Sequence, residues 1–182
     1  MKRLSTLITG YAAHPDPLAA AGNLVALVIG LNQPFYPLTL YWATGADVTW
    51  TFIVFLSAPC FLAVPAVMRR NALVGRVMLV VVGSVDTLIS AGVYGQASGG
   101  ELYLGPCLLL AALLFRKREQ LLSFGLIAAI FAGALGAHGH YGAGLLAWSD
   151  ANNDILLSVN AVSVAMLTAL IGVSLGRARG DG

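Results

Sequence analysis

The chain reads as long apolar stretches interrupted at short intervals by polar clusters, and the lengths of those stretches are the first clue to its fold. A bilayer core about 30 Å thick needs roughly 20 residues of helix, so apolar runs of that order bounded by charge, Pro or Gly mark candidate spans. Six such runs occur, over 18–43, 48–68, 77–94, 101–115, 120–137 and 155–176. Asp16-Pro17 opens the first, an N-cap acid followed by proline at the first helical position. The fourth is short, so it requires little tilt or locally thinned lipid. Ahead of the first span, Leu4, Leu7, Ile8 and Tyr11 recur at helical spacing beside Lys2 and Arg3. This pattern predicts a short amphipathic helix in the headgroup layer, a frayed terminus being the alternative.

Composition agrees with this pattern. At 58% hydrophobic and 10% charged residues, with a mean hydropathy of +0.83, the chain has more apolar surface than a soluble domain of 182 residues hides. The expected fold is therefore all-α, a polytopic integral membrane protein with six transmembrane helices. We read one domain over 1–182, made of an interfacial segment 1–16, a six-helix bundle 17–176 and a tail 177–182. No secretory signal pattern precedes the first span, which reads as a retained anchor. Cys60 and Cys107 both lie in apolar runs, where a thiol behaves as a small hydrophobe.

Charge sets the expected orientation. The 10 basic residues are Lys2, Arg3, Arg69, Arg70, Arg76, Arg116, Lys117, Arg118, Arg177 and Arg179, and all fall in alternate loops or at the termini. The other loops carry Asp47, Glu101, Asp150 and Asp154 and no base. By the positive-inside rule both termini are cytoplasmic, in a bacterial inner (plasma) membrane. Basic residues spread along a membrane face argue against a nucleic-acid partner. Gly125, Ala129, Gly133 and Ala137 on the fifth span, and Ala161, Ala165 and Ala169 on the sixth, form small-residue faces. Such faces let helices approach closely in lipid, so the two spans are expected to pack on one another, with a homodimer or a partner membrane protein as the alternative.

The sequence contains no phosphate loop, no His-Glu-x-x-His, no Cys-x-x-Cys and no nucleophile elbow, so no enzyme is expected. Two polar constellations remain. At the acidic side, His138 and His140 close the fifth span while Asp150 and Asp154 lead into the sixth, a set of donors that suits a transition metal. Headgroup contact by His, and helix capping by Asp150 with Asn152 or Asn153, is the plainer reading.

The second constellation is intramembrane. Asp86 lies well inside the third span in VVGSVDTLIS, beside Ser84 and Thr87. Asn32 and Gln33 sit at similar depth in the first span, within LNQPFYPLTLYW. An isolated acid near the bilayer midplane costs several kcal/mol unless neutralised or paired, and it therefore faces the bundle interior or a cavity. No Lys, Arg or His lies within a span to pair with it. Pro34 and Pro37 lack amide hydrogens, which opens the carbonyls of Gly30 and Gln33 and predicts a kink. The stretch reads as a broken helix lining a polar pocket made by Asn32, Gln33, Tyr36 and Asp86, with Phe35, Tyr41 and Trp42 as aromatic walls. A pocket of that kind suits a proton or a lipid-soluble, quinone-like ligand, and a polar clasp that only fixes packing is the alternative.

Six spans, both ends inside, an Arg-rich inner face, a C-terminal RAR leaving the last helix and the stretch NQPFYPLTLYW together resemble the six-helix membrane anchors of bacterial class III nucleotide cyclases and related membrane-associated sensor domains. In those proteins a cytoplasmic catalytic domain follows the sixth helix, whereas in this sequence RARGDG follows it. The resemblance implies a sensory or regulatory module that passes a signal to a cytoplasmic domain or partner. A small transporter or channel component using Asp86 as a proton or cation site, and an accessory subunit of a larger membrane complex, are the other expectations.

Overall fold

A computed structural model of the protein describes residues 2–45, 48–142, 144–145 and 148–180. Asp47 of the acidic loops and the last two residues of the tail lie outside the described residues, as do the side chains of Lys2, Arg3, Leu4 and Leu7 that contribute to the amphipathic pattern. Every regular element among the described residues is helical. The chain runs α1 (Lys2–Ala12), α2 (Pro17–Asn32), α3 (Phe35–Thr44), a 3-10 stretch (Thr49–Ser57), α4 (Ala58–Arg70) and α5 (Ala72–Tyr94). Short 3-10 turns (Gln96–Ser98 and Gly100–Tyr103) lead to α6 (Leu104–Leu113), another (Lys117–Glu119) to α7 (Gln120–Ala137), and α8 (Asp150–Gly180) follows.

Four helical stretches are long and apolar enough to cross a membrane, namely Thr51–Arg70, Ala72–Tyr94, Lys117–Ala137 and Asp150–Gly180. A fifth is reached if α2 and α3, bent by 47° at their junction, count as one broken span. The stretch Gly100–Leu113 is apolar but short. At 1.5 Å per residue it reaches about 20 Å, well under a bilayer core.

Local signals explain the helix ends. The Asp16 carboxylate accepts from the Leu18 amide (3.1 Å) and Pro17 starts α2, as the sequence predicts. Asn71 caps α5 by accepting from the Leu73 and Val74 amides (3.0 and 3.1 Å), while Arg69 and Arg70 occupy the last turn of α4, where the helix dipole favours cations. The α4–α5 turn is tight enough to require glycine, since a Cβ on Gly75 would lie 2.8 Å from Met68 Cα.

One core runs along α2, α4, α5, α6 and α8 through Val25, Phe61, Val64, Leu79, Leu110 and Ile171. A smaller cluster of Leu40, Val54, Val93, Tyr94 and Leu156 closes the end where the α5–α6 and α7–α8 loops meet. The first helix is docked: Tyr11 Oη donates to the Leu62 carbonyl (3.0 Å), Arg69 Nη2 donates to the Tyr11 carbonyl (2.9 Å), and the Asn23 amide donates to the Ala12 carbonyl (3.0 Å). One expectation fails here. Helix α7 packs on α6 and α5, whereas α8 packs on α2, α6 and α3, so α6 stands between them. The predicted α7 face does not serve α8: Gly125 has open space where a Cβ would stand, and a Cβ on Gly133 would lie 3.4 Å from Leu88 of α5. The reason is that α6 is itself apolar throughout and fills the position between its two neighbours.

Candidate functional site

The break between α2 and α3 is the starting point. Pro34 interrupts the helical ladder, and the chain recovers by a tighter bond in which the Tyr36 amide donates to the Gln33 carbonyl at 3.3 Å. The Gln33 carbonyl, which Pro37 deprives of its usual helical donor, thus accepts one from within the break itself. What the break frees instead is the Gln33 side chain, which points inward and is buried. Its Nε2 donates to Ser57 Oγ at 3.0 Å and to Asp86 Oδ2 at 3.1 Å. Ser57 directs its own proton to the Val54 carbonyl (3.0 Å), so both neighbours need a donor and the amide nitrogen is the end that supplies it. Ser84 and Thr87, which flank Asp86 in sequence, donate back to the Val80 and Gly83 carbonyls of their own helix, both at 2.8 Å.

Among the described residues no Lys, Arg or His is paired with Asp86, which is half-buried. Its surroundings are neutral dipoles: Gln33, Ser57, and the nearby Tyr94, Tyr103 and Cys107.

A second branch leaves the same break. Tyr36 Oη donates to Asn160 Oδ1 at 2.7 Å, and Asn160 Nδ2 donates to the Ser98 carbonyl at 2.9 Å. Ser98 Oγ donates to the Gly95 carbonyl (2.7 Å) and accepts from the Gly100 amide (3.2 Å). Tyr36 also meets Tyr94 edge to face, with ring centroids 5.7 Å apart. The bent helix is thus tied through side-chain hydrogen bonds to α5, to α8 and to the α5–α6 turn.

Several predicted site residues lie elsewhere. Asn32 is exposed, and Phe35, Tyr41 and Trp42 turn outward, Trp42 being 89% exposed. Helical phase is the reason: Gln33, Pro37 and Leu40 share the inward face, which sends positions 35, 38 and 42 to the opposite one. The aromatic side chains are not walls of the polar centre. Sequence reasoning missed Ser57, Tyr94, Ser98 and Asn160. Asn160 carries the same signal as Asp86, a polar group inside the apolar run LLSVNAVSVAML.

The predicted metal set does not assemble. His138 Nδ1 pairs with Glu101 Oε2 at 3.1 Å and neighbours Gln96, while His140 Nδ1 lies 3.2 Å from the His138 carbonyl. Asp150 and Asp154 are exposed on the first turns of α8, and Ser149 rather than Asp150 caps that helix, accepting from the Asn152 amide (3.3 Å). Among the described residues no three His, Cys, Asp or Glu side chains come together to hold a metal. The α5–α6 turn carries Glu101 to His138, and among the described residues neither Asp150 nor Asp154 forms an ion pair with a histidine.

At the opposite end of the bundle the polar groups are charged and matched. Arg76, 3% exposed, donates from Nη1 to the Leu114 carbonyl and Glu119 Oε2 (both 3.0 Å) and from Nη2 to Glu119 Oε1 (3.1 Å). Arg116 Nη2 reaches Asp16 Oδ1 at 3.1 Å. Burial acts against the Asp16 charge, but the Arg116 hydrogen bond, the Leu18 amide and the charges of Arg116 and Arg76 outweigh it and hold the carboxyl below its ordinary range. Arg179, near the end of α8, donates to the Ala112, Leu113 and Phe115 carbonyls (3.2, 3.0 and 2.9 Å). Two clefts stand out in the molecule. One of about 440 Å³ lies at this charged end, and one of about 350 Å³ is lined by Ile8, Tyr11, Leu27, Leu31 and Leu62. Neither includes Gln33, Tyr36 or Asp86. No family model, curated protein or solved structure matches the chain.

Proposed function

We propose that this chain is a six-span protein of the bacterial inner membrane, with both termini cytoplasmic, that acts as a sensory or regulatory module. Contacts among Asp16, Arg69, Arg76, Arg116 and Arg179 and their partners gather the basic loops at one end, and the Glu101–His138 pair lies at the other, in keeping with six crossings. The observation that carries the functional reading is the Gln33 amide at the helix break, bonded to Ser57 and Asp86. A helix broken by proline has lost part of its own ladder, so its bend depends on outside contacts. Any event that alters Asp86, such as a proton, a cation or a lipid-soluble ligand of the quinone kind, alters one of those contacts. The Tyr36–Asn160 bond then links the bent segment to α8, which runs without interruption to Arg177 and Arg179. This is the role that resemblance to six-helix cyclase anchors implies. The outward small-residue faces of α7 and α8 are available to a second copy or a partner membrane protein.

The test uses a spin-label pair at Lys117 and Arg177 in a cysteine-free background. Asp86→Leu removes the acceptor for Gln33 and should shift the distance between the labels, whereas Asp86→Asn keeps an acceptor and should not. Indistinguishable distances in all three proteins would refute the coupling. The half-buried position of Asp86 without a cationic partner supports a second reading, a proton or cation site in a small transporter. In that case Asp86→Asn abolishes uptake into proteoliposomes while leaving the label distance unchanged.

A further inference from the structure

The cleft of about 440 Å³ at the charged end is lined in part by Asp16, Asn71, Arg76, Arg116, Arg118 and Glu119. Its ionic groups divide into those that hold the cleft and one that is uncommitted. Arg76 is buried and makes a bidentate pair with Glu119, and Glu119 Oε2 also accepts the Arg116 amide at 2.9 Å. A buried cation thus fixes the turn Lys117–Glu119 that presents Arg116 and Arg118. Asp16 engages one nitrogen of Arg116. Arg118 is exposed and has no hydrogen bond or ion pair among the described residues. Counting the lining groups, three arginines against two carboxylates leave one positive charge, and its location is Arg118. Asn71 commits its carbonyl oxygen to capping α5, so its side-chain nitrogen is left to donate.

We infer that this cleft binds a phosphate group, with Arg118 as the principal ligand and the remaining nitrogens of Arg116 and the Asn71 amide completing the donor set. A planar guanidinium presents a fork of donors that matches two phosphate oxygens, and both neighbouring carboxylates are already engaged by arginines. The cleft is a few times larger than a phosphate, so it accommodates a glycerophosphate. The phosphate belongs to an anionic phospholipid headgroup or to a free phosphate ester. The first source rests on the membrane reading above, which puts this basic end at the inner headgroup layer, and the second does not.

The experiment has two arms. In the first, the full chain is reconstituted in phosphatidylcholine nanodiscs containing a minor fraction of phosphatidylglycerol, and the lipids that stay bound after release are counted by native mass spectrometry. Phosphatidylglycerol should be enriched. Arg118→Gln should reduce that enrichment about fivefold, the effect of one basic residue beside an anionic surface, while Arg70→Gln, outside the cleft, should not. In the second arm glycerol 1-phosphate is titrated onto the detergent-purified protein and followed by phosphorus NMR. Saturable binding that Arg118→Gln weakens, without lipid enrichment, assigns the site to a soluble phosphate ester. Failure of the chain to enter nanodiscs would refute the membrane reading and leave this arm to judge the cleft. Absence of Arg118-dependent binding in the second arm together with no enrichment in the first, or equal losses in Arg118→Gln and Arg70→Gln, would overturn the inference.

Discussion

The charged end and the helix break solve the burial of polar groups in opposite ways. At the charged end Arg76 faces Glu119 and Arg116 faces Asp16, so each buried or half-buried charge has its opposite within 3.1 Å. At the break the Asp86 carboxyl meets an amide and a hydroxyl. Matched charges with filled hydrogen-bond sites have one low-energy arrangement, because separating them exposes two ions to a poor solvent. Neutral dipoles around one acid are less demanding, since the amide, the hydroxyl and the carboxyl can each exchange partners at a cost near that of a single hydrogen bond. The first region is therefore suited to holding the bundle together and the second to changing.

The broadest test of this contrast is which face each region occupies. Single cysteines at Ala97, exposed in the α5–α6 turn, and at Asn152 should react from outside with an impermeant thiol reagent, and one at Asn71 should not. Reaction at Asn71 alone would reverse the assignment of the charged end to the cytoplasm.

The largest energetic effect should follow from opening the matched pair. Arg76→Ala leaves Glu119 half-buried without its cation and should cost about 3–5 kcal/mol, read as loss of folded protein in a detergent stability assay. The double change Arg76→Met, Glu119→Leu removes both charges and should recover most of that loss. If Arg76→Ala proved no worse than Asp86→Asn, the contrast between the two regions would collapse.

A smaller effect is expected at the break. Asp86→Leu deprives Gln33 of one acceptor and should cost about 1–3 kcal/mol, while Asp86→Asn keeps an oxygen there and should stay within about 1 kcal/mol. Equal destabilisation by both would mean that side-chain packing, and not the hydrogen bond, governs the site.

The smallest effect is at Asp16, where the attraction of its carboxylate to Arg116 and Arg76 is at stake. Asp16→Asn keeps the cap on α2 and should cost well under about 1 kcal/mol, as partly exposed pairs do. Because the folded carboxyl is held below its ordinary value, its contribution is present at neutral pH and disappears on acidification through the carboxylate range. Parent and Asp16→Asn stabilities should therefore converge as pH falls below about 4. A gap that widens on acidification would show that Asp16 is held in another way.

Much of the architecture was legible because it depends on properties that act along the chain. The Asp16-Pro17 cap and the prolines of NQPFYP act within a few residues, and each appears where the sequence puts it, while apolar run length marks four helical stretches long enough to cross a membrane and a fifth if α2 and α3 count as one. Gln33 and Asp86 were legible as a pair for a related reason, since polar groups at similar depth in apolar runs have few other partners in a bundle. The metal set was not, because two histidines and two acids close in sequence can be turned to different faces by a loop of a dozen residues.

By itself, then, the sequence determined that the chain is helical and apolar, that its bases fall only in alternate loops and at the termini, and that its first long helix breaks at Pro34 with a polar side chain beside the break. Only the tertiary structure decided which way that polar group faces. Helical phase sent Gln33 inward and Asn32, Tyr41 and Trp42 outward, and a one-residue change in phase would have exchanged them. The tertiary structure also decided the partners, because Ser57, Asn160, and the Glu119 that answers Arg76 come from segments 24, 124 and 43 residues from the groups they bond. Pairings over such separations follow from how the helices stack, and α6, by standing between α7 and α8, set that stacking against the pattern of small residues.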